Sequence, residues 1–400
     1  MKKTNYDCVI VGGGMVGISF ALMLARQCVN MRVLVLESKP DISKQENDEC
    51  IFDARTTALS FKSGLILEDI GVWTLLRKQL AEIVSIHVSN LGHFGVTRIN
   101  SSDIKVEALG YVVENHTMRT IFAEKLAQSN ISSRFSSKIA KVELHERALE
   151  LALEDGGGVI STQLLIIADG AASETAQQVG IHARVKDHQQ SAIVANLILE
   201  KEHRGAAYER FIQGGSIALL PMSPYLGKPR ASLVWIQSND ETKTMMLAND
   251  TSFLVRLQDQ FGYRAGLFSA VGVRRNYALA SAEAEEQARR RVVLLGNAAH
   301  SLHPIAGQGF NLALRDAECL SSCIREALDK GLDYSSMEVL GKYLDSRRFD
   351  QQKVIGFTKF LPQLFATYSY PVGIGRNLAL LLMESSPPFR RAFARFGMGL

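Results

Sequence analysis

The chain has 400 residues, 46% hydrophobic and 22% charged, the composition of an ordinary folded protein with room for two or three domains. Its 45 basic and 41 acidic residues leave a net charge of +4, too little to argue for a nucleic-acid partner. Disorder and collagen-like repeats are excluded. So is a disulfide scaffold, because Cys8, Cys28, Cys50, Cys319 and Cys323 lack secreted-type spacing; a reducing, cytoplasmic compartment is expected.

Lys2 and Lys3 precede an apolar run, but Gly12, Gly13 and Gly14 break it and no signal-peptide cleavage site follows. No stretch supplies the ~18 uncharged apolar residues of a spanning helix; the best candidate, Phe365 to Met383, contains Pro371 and Arg376. A soluble protein, or one attached to a membrane only at its surface, is expected.

Residues 7–11 (Asp-Cys-Val-Ile-Val) read as a short buried strand, β-branched and without alternation. Met15 to Cys28 reads as an apolar helix and residues 32–36 as a second strand, closed by Glu37. That is a β-α-β unit, which implies a parallel sheet with a right-handed crossover. At its first turn, Gly12-Gly13-Gly14-Met15-Val16-Gly17 matches G-x-G-x-x-G. The first glycine permits the tight turn, the second lets a pyrophosphate approach the backbone, and the third allows close helix–strand packing. The helix N-terminus favours the negative charge, and Glu37 is placed to bind a ribose hydroxyl pair. A dinucleotide is predicted, but not which one, and a NAD-dependent dehydrogenase stays open at this point.

A polar stretch, Ser38 to Glu49, precedes Phe52-Asp53-Ala54-Arg55. Thr117 to Gln128 is an amphipathic helix with Met118, Ile121, Phe122 and Leu126 on one face. Residues 139–166 read as an antiparallel ribbon turning at Asp155-Gly156-Gly157-Gly158, running into Leu164-Leu165-Ile166-Ile167 and then Asp169-Gly170. From about 190 to 272 the sequence becomes separated strands, such as Ile193–Leu199, Ile217–Leu220 and Ser232–Ile236. Nucleotide-type sequence returns at Arg291: a buried strand ends at Gly296-Asn297-Ala298-Ala299-His300, and a loop through Pro304 leads to Gly307-Gln308-Gly309-Phe310-Asn311 and a long helix.

Here the sequence resembles the FAD-dependent aromatic hydroxylases, the group A flavoprotein monooxygenases, whose third motif is G-D-A-A-H followed by P-x-x-G-x-G-x-N. Arg55 after Asp53 fits a flavin-contacting arginine of that family, and Asp169-Gly170 fits its Asp-Gly motif. Two departures occur: Asn297 replaces the usual aspartate at the flavin ribityl chain, and Ser173 is followed by Ala176 where the family has arginine. The stretches 87–93, 108–114, 219–223 and 296–300 resemble one branch, the ubiquinone-biosynthesis hydroxylases, and within it those acting on 2-polyprenyl-6-methoxyphenol. In that branch Gly-Asn is the expected pair.

The resemblance implies an α/β fold of the glutathione-reductase/p-hydroxybenzoate-hydroxylase type. A Rossmann-like FAD-binding domain would comprise 1–82, 108–182 and 273–330. A sheet-rich substrate domain would comprise 83–107 and 183–272, with a helical C-terminal segment over 331–400. It implies bound FAD held by Gly12, Gly14, Met15, Val16, Gly17, Glu37, Arg55, Arg119, Asp169, Gly296, Asn297, Pro304, Gly307, Gln308, Gly309, Phe310 and Asn311. NAD(P)H would be a transient co-substrate, since no second glycine fingerprint occurs. O₂ would then yield a C4a-hydroperoxide that hydroxylates 2-polyprenyl-6-methoxyphenol to 2-polyprenyl-6-methoxy-1,4-benzoquinol. Free N–H groups at the Gly307 helix start would stabilise the reduced cofactor, and Pro304 with Ile305 would wall off water. No proton-transfer residue emerges. The alternatives are another ring-hydroxylation step of the same pathway or a non-catalytic flavoprotein subunit. A flavin halogenase is excluded, because its W-x-W-x-I-P motif cannot be built from Trp73 and Trp235.

His300 and His303 have ligand-like spacing, but no third ligand is evident and no metal is expected. Cys319 and Cys323 read as buried packing. Phe357, Phe360, Leu361, Leu364, Phe365 and Tyr368 recur at helical spacing, followed by Leu378 to Met383 and by Arg390, Arg391 and Arg395. This tail reads either as a lid or dimer surface, or as a contact with the cytoplasmic (inner) membrane, arginines on anionic headgroups. Other ubiquinone-biosynthesis proteins and a second copy are the remaining expected partners.

Overall fold

A computed structural model describes residues 3–41, 55–92, 95–304, 307–366 and 384–400. Cys50, Asp53, His93, Ile305, Tyr368 and the stretch Leu378 to Met383 lie outside the described residues, as does the side chain of Phe365.

β1 (Lys3–Val11), α1 (Met15–Gln27) and β2 (Val33–Leu36) form the β-α-β unit. The strands pair in parallel, Cys8 opposite Val33. β1 begins four residues earlier than the apolar run suggests, because Lys3 to Tyr6 pair with residues 159–162. β3 (Thr56–Ser60) leads into α2 (Phe61–Asp69) and α3 (Trp73–Leu76). Next come β4 (Ala81–Ile83), β5 (Ser85–Asn90), β6 (Val96–Asn100) and β7 (Gly110–Glu114). α4 (Asn115–Ala127) buries Met118, Ile121, Phe122 and Leu126, the predicted face. β8 (Ser132–Arg134), β9 (Ile139–Leu144), β10 (Leu149–Leu153), β11 (Val159–Ile167) and α5 (Glu174–Gln178) complete the first half.

The long strands β12 (Ala183–Leu199), β13 (Ala206–Ile212), β14 (Gly215–Tyr225) and β15 (Lys228–Ser238) follow. Two helices then interrupt the expected run of strands, α6 (Asn239–Leu247) and α7 (Asp250–Phe261). Ser238 with Glu241 forms a capping box for α6 and Asn249 caps α7, both recognisable N-terminal signals. β16 (Phe268–Val271), β17 (Arg275–Ala284), β18 (Ala288–Arg289), β19 (Val292–Leu294) and β20 (His300–Ser301) precede the helices α8 (Gln308–Asp329), α9 (Met337–Ala366) and α10 (Pro387–Met398).

The first sheet runs β18-β19-β11-β1-β2-β8, with the β9–β10 ribbon joined to β11. Its central strands are parallel and covered on both faces, as parallel strands require. α1, α4 and α8 pack against Cys8, Ile10, Val33 and Val35, while the ribbon covers Val9, Val11 and Leu34. Cys323 is buried in that core and Cys319 packs at its edge. The second sheet runs β20-β17-β12-β15-β14-β13-β5-β6, and the third is β3-β7-β4. One face of the second sheet, with Ile193, Leu197, Ile217, Leu219, Leu233 and Trp235, is sealed by Phe253, Leu257 and Phe261 of α7. Among the described residues no helix is long and apolar enough to cross a membrane.

Candidate cofactor and active site

The carboxyl ends of β1, β2, β11 and β19 lie on one edge of the parallel sheet, where open α/β sheets bind ligands. The glycine turn leaves β1 there. A Cβ at Gly12, where φ is +107°, would lie 2.5 Å from the Ala168 carbonyl oxygen, and one at Gly17 would lie 2.0 Å from that of Gly12. Both positions are closed by neighbouring backbone. Gly14 differs: nothing stands within 4 Å of the place a Cβ would take, and no side chain caps the helix it starts. The first-turn N–H groups of α1 therefore face open space, the arrangement that attracts phosphate. Met15 and Val16 are half-buried in that first turn.

Glu37 ends β2 beside the turn. Its Oε2 accepts from the Gly13 N–H at 2.8 Å and its Oε1 from the Lys39 N–H at 2.8 Å, so the carboxylate is held in one orientation with lone pairs left for ribose hydroxyls. Asp169 and Asn297 end the adjacent strands β11 and β19, and both are exposed. Surrounding protein pushes the Asp169 carboxyl above the ordinary aspartate value; hydrogen bonds from Ser173 and Thr175 pull it down and the Glu37 charge raises it. Gly296, at φ +62°, presses on α1, with Val16 3.1 Å from the position of a Cβ.

α8 supplies a second uncapped helix start. Its N-cap, Gly307, is left-handed at φ +60°, and a Cβ there would lie 3.0 Å from Ala58 Cβ. Gly309 has nothing within 4 Å of a Cβ; Gln308 is buried, Phe310 half-buried and Pro304 exposed. The Asn311 side chain turns to protein, leaving cofactor contact at this turn to the backbone N–H groups. Its Oδ1 accepts from Ser60 N–H at 2.8 Å and Ser63 Oγ at 2.7 Å, and its Nδ2 donates to the carbonyls of Ala58 and Gly307. All four hydrogen-bonding positions of the amide are used on protein. Asn311 locks the start of α8 to β3.

Arg55 stands just before β3; its carbonyl accepts from Asn115 N–H at 3.0 Å and its guanidinium lies 5.6 Å from the Tyr277 ring centroid. Arg119 is half-buried one turn further along α4. Thr56, next to Arg55, hydrogen-bonds Ser232 of β15 at 3.0 Å, and Arg230 reaches Glu114 at 2.6 Å. Both contacts hold the open face of the second sheet against β3 and β7. β3 thereby adjoins both the α8 start and the second sheet.

The helix-packed side of the third motif holds a network that sequence spacing did not reveal. His300 Nε2 lies 3.2 Å from Asp316 Oδ2, and Asp316 Oδ1 accepts from Arg347 Nε at 2.6 Å. Arg347 also pairs with Asp350, which accepts from Arg315 Nε at 2.8 Å. His303 turns elsewhere, its ring centroid 5.0 Å from that of His188. Burial, and then His188, push it down to about 4, so it is neutral at neutral pH.

Two uncapped helix N-termini and, beside the first, a carboxylate oriented by Gly13 and Lys39 are a donor set that suits FAD. The sequence matches the FAD binding domain family over residues 5–357. It is 30% identical to the ubiquinone hydroxylase UbiL of Rhodospirillum rubrum, over 98% of this chain and 89% of that protein. It is 27% identical to the 3-demethoxyubiquinol 3-hydroxylase of Escherichia coli, over 100% of both. The crystal structure of p-nitrophenol 4-monooxygenase PnpA from Pseudomonas putida has the same fold, with a TM-score of 0.76 at 18% identity, covering 98% of this chain and 97% of that one. The chain belongs to the FAD-binding monooxygenase family and, within it, to the FAD-dependent ubiquinone-biosynthesis hydroxylases.

Proposed function

We propose that the chain hydroxylates the ring of a polyprenylated phenol, taking 2-polyprenyl-6-methoxyphenol to 2-polyprenyl-6-methoxy-1,4-benzoquinol. NAD(P)H supplies two electrons; one atom of O₂ enters the ring at the carbon para to the hydroxyl and the other leaves as water. Bound FAD supplies the redox and oxygen-transfer chemistry. The residues of this chain bind and orient. The α1 N-terminus receives the pyrophosphate, Glu37 the ribose hydroxyls, and the α8 N-terminus stabilises negative charge on the reduced cofactor. Asn297 and Asp169 stand where they can hydrogen-bond its linking chain.

The observation that carries this reading is the open face of the second sheet. Ala218, Leu220 and Val234 keep accessible surface there, although the opposite face is sealed. A mostly apolar, partly accessible wall beside β3 suits an alkylated ring. The Escherichia coli relative, which by its name hydroxylates a different ring carbon, favours a second reading: another position on the same class of ring.

The test combines FAD-loaded protein, NAD(P)H, O₂ and a short-chain 2-prenyl-6-methoxyphenol, with the product read by mass spectrometry and NMR. A hydroquinone with the new oxygen para to the old hydroxyl is expected. Reductant consumption that yields only peroxide would reject this ring and move the second reading forward.

A further inference from the structure

We infer that Glu209 is the proton acceptor for the ring hydroxyl of the phenol, an assignment that rests on the ring-hydroxylation reading above. β13 alternates sides, as strands do. Tyr208 stacks on Phe261 of α7 at 5.6 Å, Arg210 Nε donates to the Gln260 carbonyl of α7 at 3.0 Å, and Ile212 joins the α7 core. Ala207, Glu209 and Phe211 therefore point the other way, onto the face that Ser232 and Thr56 tie to β3. Register sets Val88 and Ala218 directly beside Glu209, and Ser216 on the diagonal. Ala207 packs with Val112 and Met398, and Phe211 with Leu361 and Leu364 of α9.

A carboxyl ringed by alkyl groups is costly unless something uses it. Burial pushes Glu209 up to about 7, with a hydrogen bond from Ser216 opposing the rise. Yet the residue keeps accessible surface, as do Ala218, Leu220 and Val234 on the same face, whereas Ile217, Leu219 and Leu233 on the far face are at most 2% exposed. A group deep in the molecule with open surface lines a cleft. Two strand spacings and two residues separate Glu209 from Ser232, about 12 Å, a span longer than one substituted ring. Among the described residues no charged side chain from β5, β14, α9 or α10 acts on the carboxyl. His87 and Arg210 lie on the α7 face, Lys359 is paired with Glu283, and Arg390 with Asp103.

The chemistry balances. The phenol O–H bond breaks and its proton passes to the Glu209 carboxylate. The electron pair left on oxygen pushes into the ring and raises electron density at the para carbon, which forms the new C–O bond as the O–O bond of the O₂-derived oxygen breaks, the second oxygen atom leaving as water with the two electrons that NAD(P)H supplies. As the ring regains aromaticity that carbon loses its hydrogen as a proton to water, and Glu209 returns its own proton to the first oxygen. The acceptor must be ionised to begin, so activity rises with pH through its titration.

The test compares FAD-loaded wild type with Glu209→Gln, reading two quantities from pH 5.5 to 8.5: ring hydroxylation, and phenol affinity by ultraviolet difference titration. In the wild type kcat is expected to rise about tenfold per pH unit and level off near 7, with affinity tightening over the same range. Glu209→Gln should retain FAD, lose roughly a hundredfold in kcat, and show neither inflection. Wild-type profiles in the variant would overturn the assignment. Should Glu209→Gln fail to fold, Ser216→Ala removes the hydrogen bond that favours ionisation and must move the wild-type inflection upward; an unmoved inflection overturns the assignment equally. A wild type that forms no hydroxylated product defeats the ring-hydroxylation reading, and phenol binding without an inflection defeats Glu209 separately.

Discussion

Gly14 is the residue at which folding and cofactor binding separate. Its backbone, at φ −76° and ψ 179°, is open to any amino acid, and no neighbour lies within 4 Å of a new Cβ. Gly14→Val should therefore fold, with an apoprotein melting temperature like that of the parent, and be purified colourless because the side chain fills the space facing the first-turn N–H groups. Absorbance in the flavin band, read beside far-ultraviolet circular dichroism, checks both halves. A variant that stays yellow would move the pyrophosphate away from this turn. Gly12 and Gly17 cannot serve the same purpose, since backbone carbonyls occupy the space beside both.

At the scale of the element, α8 does two jobs at its opening turns. Its uncapped start is held in register by the four bonds of Asn311 to β3, α2 and the helix itself. Two turns later its inner face carries Arg315 and Asp316, which join α9 through Arg347 and Asp350. Asp316 is 1% exposed, and Arg347 is the arginine paired with it. Arg347→Met should destabilise the protein by about 3–5 kcal/mol, the cost of leaving a buried carboxylate unpaired, read from the denaturant midpoint. Replacing both partners, Asp316→Leu with Arg347→Met, should recover most of that loss. A single variant within about 1 kcal/mol of the parent would reduce the pair to the worth of a surface contact.

Across the whole molecule, the second sheet is held to the cofactor-side elements by Thr56 with Ser232 and Arg230 with Glu114, and the C-terminal helices pack on part of the same face, at Ala207 and Phe211. α10 is anchored rather than free. Ala394 and Met398 are buried with Val112 and Ala207, and Arg390 pairs with Asp103 at 3.2 Å. This corrects the sequence expectation that Arg390 faces lipid headgroups with its neighbours. Phe389, Arg391 and Arg395 are among the exposed residues of that helix, and they are the ones through which we propose a surface contact with an anionic membrane. Losing two arginines should weaken binding roughly thirtyfold at about 1 kcal/mol each. Flotation of Arg391→Gln/Arg395→Gln protein with anionic vesicles checks this, and recovery equal to wild type would reject the contact.

The parts of this protein legible in the sequence are those made by neighbours in the chain. The β-α-β unit, the glycine turn, the face of α4 and the loop-to-helix passage at Gly307 all follow from periods of 2 and 3.6 and from glycine spacing. Two capped helices, α6 and α7, carried local signals but lay within a run of strands. Pairing decided the rest. β1 extends to Lys3 only because β11 lies beside it, and β5 and β6 join the second sheet through β13, more than a hundred residues away. Asn311 became a strut because β3 offered it two backbone partners. Glu209 is an ordinary acid in an unremarkable strand until register decides which side it faces, what seals the other, and that alkyl groups surround it. A carboxylate's chemistry depends on its surroundings, and those surroundings are built from distant segments, so only the folded chain could show it.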